Sequence, residues 1–337
     1  MKTLLVTGGA GFIGANFVRM VLDEHPDVKV VNLDVLTYAG NLENLDGYLE
    51  RDSHVFVKGD ICDDVLVAKL LKEHDVDCIV NFAAESHVDR SITGPKIFID
   101  TNVTGTLTLL QAARDKEVTK FLQVSTDEVY GSLGEEGMFT ETTHLSPNSP
   151  YSASKASADH LVAAFGHTFG LPYNITRCSN NYGPYQFPEK LIPLMINNAL
   201  HDKALPVYGD GMNVRDWLFV YDHCTAIWKV LTEAKTGEVY NVGGCNEKPN
   251  LDVVKLILAH VNKPQSLIQY VKDRPGHDLR YAIDATKIMT EFEWAPSVTF
   301  EQGIAQTIDW YLAQTDWLNH IVSGDYQGYY ESMYQGR

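Results

Sequence analysis

The sequence predicts an α/β fold: a doubly wound parallel sheet with helices on both faces, plus a smaller, discontinuous C-terminal lobe. Three observations carry this. Short apolar, β-branched runs alternate with longer helix-period segments through the first half of the chain. A glycine-rich stretch separates the first run from the first helix. After about residue 178 the alternation stops, and Pro184, Pro188, Pro193 and Pro206 punctuate an aromatic-rich segment.

The strand runs come in order as Lys2–Thr7, Val28–Leu33, His54–Lys58, Asp77–Phe82, Lys120–Ser125 and Tyr173–Arg177. They are nearly continuously apolar, as parallel strands buried on both faces must be. Helices are expected over Phe12–His25, Val65–His74, Pro95–Lys116 and Ser152–Phe169. Glu238–Gly243 (EVYNVG) reads as a late strand returning to the main sheet. The expected division is therefore a nucleotide-binding domain over 1–178 with a return segment at about 216–244. A second lobe is built from 179–215 and 245–337. No fixed-period repeat or low-complexity tract interrupts this plan.

Composition narrows the function. The 337 residues carry 27 Lys and Arg against 44 Asp and Glu, a net charge of −17. That field repels phosphate polymers and anionic membranes, so neither nucleic acid nor membrane is an expected partner. No apolar run approaches the roughly 18–20 residues of a membrane span. The opening MKTLLV has the beginning of a leader, but Gly8, Gly9, Gly11 and Gly14 interrupt it where an apolar region would continue. The five cysteines, Cys62, Cys78, Cys178, Cys224 and Cys245, form no CxxC. Their wide spacing predicts neither zinc nor disulfides and fits a reducing cytoplasm. The 12 histidines show no metal-ligand spacing, so no metal is expected.

Thr7–Gly14 reads TGGAGFIG between the first strand and first helix. Gly8, Gly11 and Gly14 allow a tight turn and close approach to a pyrophosphate, with Phe12 and Ile13 opening the helix whose N-terminus faces it. This is the phosphate-binding turn of a Rossmann-type sheet. Its GxxGxxG spacing points to short-chain rather than medium-chain dehydrogenases. The second strand ends at Asp34, 20 residues beyond Gly14. A carboxylate there accepts the ribose hydroxyls of NAD and repels the 2′-phosphate of NADP. Asp60 and Ile61, after the third strand, flank an adenine in the same reading. Asp60 equally well caps the helix that follows.

Tyr151-Ser-Ala-Ser-Lys155 is a YxxxK motif at a helix start, with both side chains on one face. The ammonium of Lys155 would favour the phenolate of Tyr151, as a base taking an alcohol proton during hydride transfer requires. The fifth strand runs into Ser125-Thr126-Asp127-Glu128, at the strand end that faces the ligand crevice. A hydroxyl there can hold a substrate oxygen against Tyr151. Two adjacent carboxyls push their pKa values apart, so one can serve as acid and the other as base.

With these residues in place the sequence resembles the extended short-chain dehydrogenase/reductases, and among them the nucleotide-sugar 4,6-dehydratases. The resemblance rests on Thr126-Asp127-Glu128, Asn81–Ser91 (NFAAESHVDRS), Cys178–Pro184 (CSNNYGP), Phe187–Pro193 (FPEKLIP), Arg215-Asp-Trp217 and Asp273–Asp278 (DRPGHD). These matches span nearly the whole chain, although the stretch between Asn250 and Asp273 is shorter than in many relatives. The resemblance implies an NAD enzyme acting on dTDP-glucose. It would oxidise C4, eliminate water across C5–C6 and re-reduce C6. Tyr151 would then be the base at C4, supported by Lys155, with Thr126 holding the C4 oxygen. Glu128 would remove the C5 proton and Asp127 protonate the departing C6 hydroxyl.

Further implied cofactor contacts are Ala83, Thr101 and Asn181. Implied substrate contacts are Ser86, His87, Asn180, Glu189, Lys190, Pro206, Tyr208, Arg215, Asn250, Arg274 and His277. Arg215 and Arg274 suit a diphosphate, because guanidinium donors bind it in pairs. A homodimer formed through the Pro95–Lys116 and Ser152–Phe169 helices is implied as well. Two other readings compete. One is a dehydratase or 4-epimerase for another nucleotide sugar, which an epimerase's lack of need for an elimination acid weighs against. The other is a non-catalytic NAD-sensing module, which would not require Tyr151, Lys155, Asp127 and Glu128 together.

Overall fold

The computed structural model describes residues 1–273 and 277–322. β1 (Thr3–Thr7), α1 (Phe12–Glu24), β2 (Lys29–Asp34), β3 (His54–Lys58), α2 (Asp64–Glu73) and β4 (Cys78–Asn81) form the first half of the sheet. The opening run MKTLLV thus leads into an interior strand of the sheet, buried at every position. α3 (Val88–Thr93) and α4 (Pro95–Phe98) follow, and a π-helical stretch, Ile99–Gly105, leads into α5 (Thr106–Lys116). The helix expected over Pro95–Lys116 therefore exists as one path with a bulge in the middle. Such bulges re-aim side chains at functional sites, and this one carries Thr101 to the cleft described below.

β5 (Lys120–Thr126) leads through a 3₁₀ turn, Asp127–Tyr130, and a long loop to α6 (Pro150–Phe169). α6 starts before the expected Ser152, because Pro150 occupies its first turn and Ser149 and Ser152 form a reciprocal capping box. β6 (Tyr173–Cys178) completes this run. The remaining elements are β7 (Asn180–Tyr182), α7 (Leu191–Leu200), β8 (Leu205–Tyr208), β9 (Val214–Phe219), α8 (Val220–Glu233) and β10 (Val239–Val242). After these come β11 (Glu247–Pro249), α9 (Asn250–His260), β12 (Ile268–Val271), α10 (Thr286–Phe292), α11 (Phe300–Ala313) and α12 (Thr315–Ile321).

A seven-stranded parallel sheet has the order β10-β6-β5-β4-β1-β2-β3. The late strand does return, with Val239–Val242 pairing parallel to β6. One face of the sheet packs on α1, α8 and α10 through residues such as Phe17, Val21, Ile227 and Ile288. The other packs on α2, α5 and α6 through Leu70, Leu109, Phe121 and Val162. A separate core gathers Tyr182, Ile192, Trp217, Ile257, Phe300 and Tyr311 around a three-stranded sheet, β11-β9-β7, and α7, α9 and α11. Asp216–Phe219 pairs within this small sheet, while Leu218 beside Trp217 packs into the main core. β9 thus joins the two cores.

Strand order reverses between β1 and β4. In doubly wound sheets, ligands bind beyond the strand ends at that point.

Candidate active site

A cleft of about 360 Å³ opens at the reversal. Its lining begins with Gly8, Gly11, Phe12, Ile13 and Gly14. Gly8 has φ +68°, and a Cβ there would lie 2.7 Å from the backbone nitrogen of Ala83. A Cβ on Gly14 would lie 2.2 Å from the carbonyl oxygen of Gly8. Glycine is required at both positions by geometry. α1 starts here without a side-chain cap, so its first N–H groups are left for an anion.

Asp34 ends β2 in the wall of the same cleft, 7% exposed. Its carboxylate accepts from the backbone N–H of Ala10 at 2.9 Å and of Leu36 at 2.8 Å, which fixes its orientation. Burial raises its pKa, opposed by these two donors. Asp60 and Ile61 line the cleft too. The capping alternative for Asp60 fails: Asp63 is the N-cap of α2, accepting from Leu66 N–H at 2.9 Å. Asp60 instead accepts from Cys62 N–H in the preceding turn at 2.9 Å. Ala83, Thr101 and Asn181 complete the expected cofactor-side set. A dinucleotide fits this wall, with glycine turn and helix end for its pyrophosphate and Asp34 for its ribose.

At the far end of the cleft stand Thr126, Asp127, Glu128, Tyr151 and Lys155. Tyr151 is 8% exposed, and Lys155 4%. Lys155 Nζ donates to the carbonyl oxygen of Val124 at 2.8 Å, which ties α6 to β5. The expected lowering of the Tyr151 pKa is not found in this arrangement. Burial, then the charge of Glu128, push it well above its usual value, against a hydrogen bond with Thr126. Burial in turn lowers the pKa of Lys155. Desolvation outweighs a cation whose hydrogen bond goes to the backbone.

Asp127 is 1% exposed, and its Oδ2 has no hydrogen-bond partner among the described residues. Burial, the neighbouring Glu128 and then Asp216 raise its pKa well above the usual carboxylate range, with Arg215 opposing. Burial and the adjacent charges thus favour its protonated form. Thr126 caps the turn, accepting from Glu128 N–H at 3.3 Å.

A second cavity, about 150 Å³, adjoins the first. Glu128, Asn180, Glu189 and Lys190 line both. His87, Pro206, Tyr208, Arg215, Asn250 and His277 line the second, and Ser86 the first. Arg215 is buried, donating to the carbonyl oxygens of Val214 at 2.7 Å and Asp278 at 2.9 Å, with its guanidinium 4.4 Å from the Tyr281 ring centroid. Arg274 lies outside the described residues. Glu128 thus stands where the two cavities meet.

Several lining residues were missed in the sequence: Thr37 and Gly40 after β2, Glu85, and Phe187. The Tyr-Ala-Gly-Asn run at Tyr38–Asn41, following Asp34, was the available signal for the first two. Asn102 holds Glu85 in place, accepting from its N–H and donating to its carbonyl, both at 2.9 Å. His223 fixes Asn181 in the same way, through a 2.8 Å bond between its Nδ1 and Oδ1.

Comparison with known proteins bears on this geometry. The family model for GDP-mannose 4,6 dehydratase matches residues 5–307. A dTDP-glucose 4,6-dehydratase of Xanthomonas campestris pv. campestris is 58% identical, over 97% of this chain and 98% of the relative. The chain belongs to the dTDP-glucose 4,6-dehydratase family. Two solved structures of dTDP-glucose 4,6-dehydratases are similar throughout. That of Bacillus anthracis, in complex with NAD, has a TM-score of 0.90 at 53% identity, covering 95% of this chain and 100% of that one. That of Streptomyces venezuelae, with NAD bound, has a TM-score of 0.92 at 50% identity, covering 95% and 99%.

Proposed function

We propose that the protein converts dTDP-glucose to dTDP-4-keto-6-deoxyglucose, as a hydro-lyase that uses NAD and regenerates it in each turnover. The observation that carries this is the placement of Glu128 at the junction of the two cavities, beside a buried Asp127 whose pKa is raised and within the same site as Tyr151. An epimerase has no use for such an acid, and a sensing module has no use for the whole set.

NAD, when bound, supplies the acceptor for the C4 hydride and gives it back at C6. The chain's own residues do the rest. Tyr151 takes the proton of the C4 hydroxyl while Thr126 holds that oxygen. Lys155 holds the nicotinamide ribose and α6 in position. The C4 ketone acidifies the C5 hydrogen, which Glu128 removes. Asp127 delivers its proton to the C6 hydroxyl, which leaves as water. Glu128 then returns a proton to C5. The diphosphate and base lie in the second cavity, between the body formed by 1–178 with about 216–244 and the lobe formed by 179–215 and 245–337. Arg215, Lys190 and Asn180 serve the phosphates, in line with their place in its wall.

The working form we propose is a cytoplasmic homodimer, built through α5 and α6. α6 presents Ala153, Ser157 and Ala164 on its exposed side, small residues that let helices approach closely. The test of the reaction is incubation with dTDP-glucose and with UDP-glucose, reading products by mass. Loss of one water from dTDP-glucose is expected. Thymine and uracil differ by one methyl group, worth about 1–3 kcal/mol in a pocket, so a smaller rate with UDP-glucose is expected too. Exchange of epimers without water loss would overturn the assignment.

A further inference from the structure

Tyr38 lies in the loop after β2, between the cleft-lining residues Thr37, Ala39 and Gly40. Its hydroxyl donates to Glu189 Oε1 at 3.0 Å, 151 positions along the chain. Glu189 belongs to the opposite wall, in the segment Phe187–Lys190 ahead of α7. Its other oxygen, Oε2, accepts from Arg90 Nε at 3.2 Å. The Arg90 guanidinium stacks 3.7 Å from the centroid of the Tyr38 ring, and Phe187 meets that ring edge-on at 5.5 Å. Glu189 is 6% exposed. Three segments distant in sequence therefore converge on one buried carboxylate: the loop after β2, the start of α3 and the segment before α7. The loop side is itself anchored, since Asp34 accepts from Leu36 N–H and Gly40 N–H donates to Thr37 carbonyl.

We propose that Tyr38, Arg90 and Glu189 form a clasp across the cleft that retains the dinucleotide, with Tyr38 and Arg90 as positioning residues. The inference rests on the cleft being the NAD site. The dinucleotide lies along a cleft whose two walls the clasp joins, from Asp34 at one end to Tyr151 at the other. Separating the loop after β2 from Phe187–Lys190 breaks the Tyr38–Glu189 bond and leaves a buried carboxylate one donor short. Such a bond to a charged group resists breaking more than one between neutral partners. The clasp also orders Glu189 beside Lys190, whose Nζ donates to the Ser86 carbonyl at 2.8 Å in the wall shared with the second cavity. Substrate contacts and cofactor retention are in this way built on one carboxylate.

The experiment uses the full-length protein loaded with NAD. The rate of NAD loss after rapid dilution is followed by fluorescence of an NADH competitor, beside the melting temperature of the NAD-free protein. Tyr38→Phe keeps the ring between Arg90 and Phe187 and deletes only the hydroxyl. NAD loss should rise about tenfold, the scale of one hydrogen bond to a charged group, while the NAD-free protein still unfolds cooperatively at a melting temperature lowered only by the loss of that bond. Arg90→Lys should also speed NAD loss. The double variant should fall short of the product of the two effects, because both act through Glu189. Equal NAD loss from Tyr38→Phe and the unmutated protein overturns the clasp. So does faster loss from a variant whose NAD-free form no longer unfolds cooperatively, or strict multiplicativity in the double variant. An unmutated protein that takes up no NAD overturns the assignment of the cleft itself, and the clasp with it.

Discussion

Asp127 and Glu128 are neighbours in one 3₁₀ turn, yet their carboxyl groups occupy different surroundings. Asp127 is sealed at 1% exposure, with one oxygen unpartnered among the described residues, whereas Glu128 is only part-buried and opens onto both cavities. The sealed group is the one whose pKa burial and the adjacent charge raise. In the sequence the two carboxyls are interchangeable; in the structure their surroundings differ, and the roles proposed for them rest on that difference.

Glu128→Gln should therefore form bound NADH with dTDP-glucose and stall before water is lost. Asp127→Asn should stall after the same oxidation while still exchanging the C5 hydrogen. Both are read by the NADH absorbance and by product mass in heavy water. Full dehydration by Glu128→Gln, with loss of C5 exchange in Asp127→Asn, would reverse the two roles.

The raised pKa of Asp127 has a consequence for stability. The folded state holds a proton that the unfolded state gives up near the ordinary carboxylate value of 3.8, so the stabilisation is complete below that pH. It is lost as pH rises from there through the folded-state pKa. Asp127→Asn cannot ionise, so it should gain stability relative to the parent across that window. Urea unfolding as a function of pH checks this, and a constant difference at all pH values would contradict it.

Tyr151→Phe removes the phenol that lines the cleft beside Thr126. A general base contributes roughly 10²–10⁴-fold, and no NADH should appear when substrate is added. Stopped-flow absorbance would reveal any residual reduction. Reduction at the parent's rate would move the base elsewhere.

Asp34→Ala should bring NADP affinity up towards that of NAD, because the carboxylate opposing a 2′-phosphate is gone. Titration with both dinucleotides measures the ratio. Equal affinity of the unmutated protein for the two would remove the basis of this expectation.

Gly14→Ala places a methyl group 2.2 Å from the Gly8 carbonyl oxygen. The backbone of the phosphate turn has to move, at an overpacking cost of about 1–3 kcal/mol. Loss of NAD retention and a lower melting temperature are expected together. A variant that binds NAD like the parent would show that the turn is not the pyrophosphate site.

The alternation of strands and helices up to about residue 178, the late return strand, the glycine turn, Asp34 and the Tyr151–Lys155 pair were legible in the chain itself. Each depends on local rules: apolar runs of strand length, glycine where a Cβ collides, side chains one helical turn apart. The start of α6 was misplaced by two residues, because the capping of Ser149 by Ser152 competes with the apolar pattern. Three matters were decided only by tertiary structure. Asp60 and Asp63 are both plausible caps by position, and the helix chooses Asp63. Lys155 is close to Tyr151 along the helix, but β5 offers it the Val124 carbonyl, and burial then raises the phenol. Tyr38, Arg90 and Glu189 carry no shared motif, since the contacts between them span 99 and 151 positions of sequence. Local pattern determines which elements form. Burial and long-range hydrogen bonds, which exist only once the sheet has brought its strand ends together, determine the protonation and partners of the groups those elements carry.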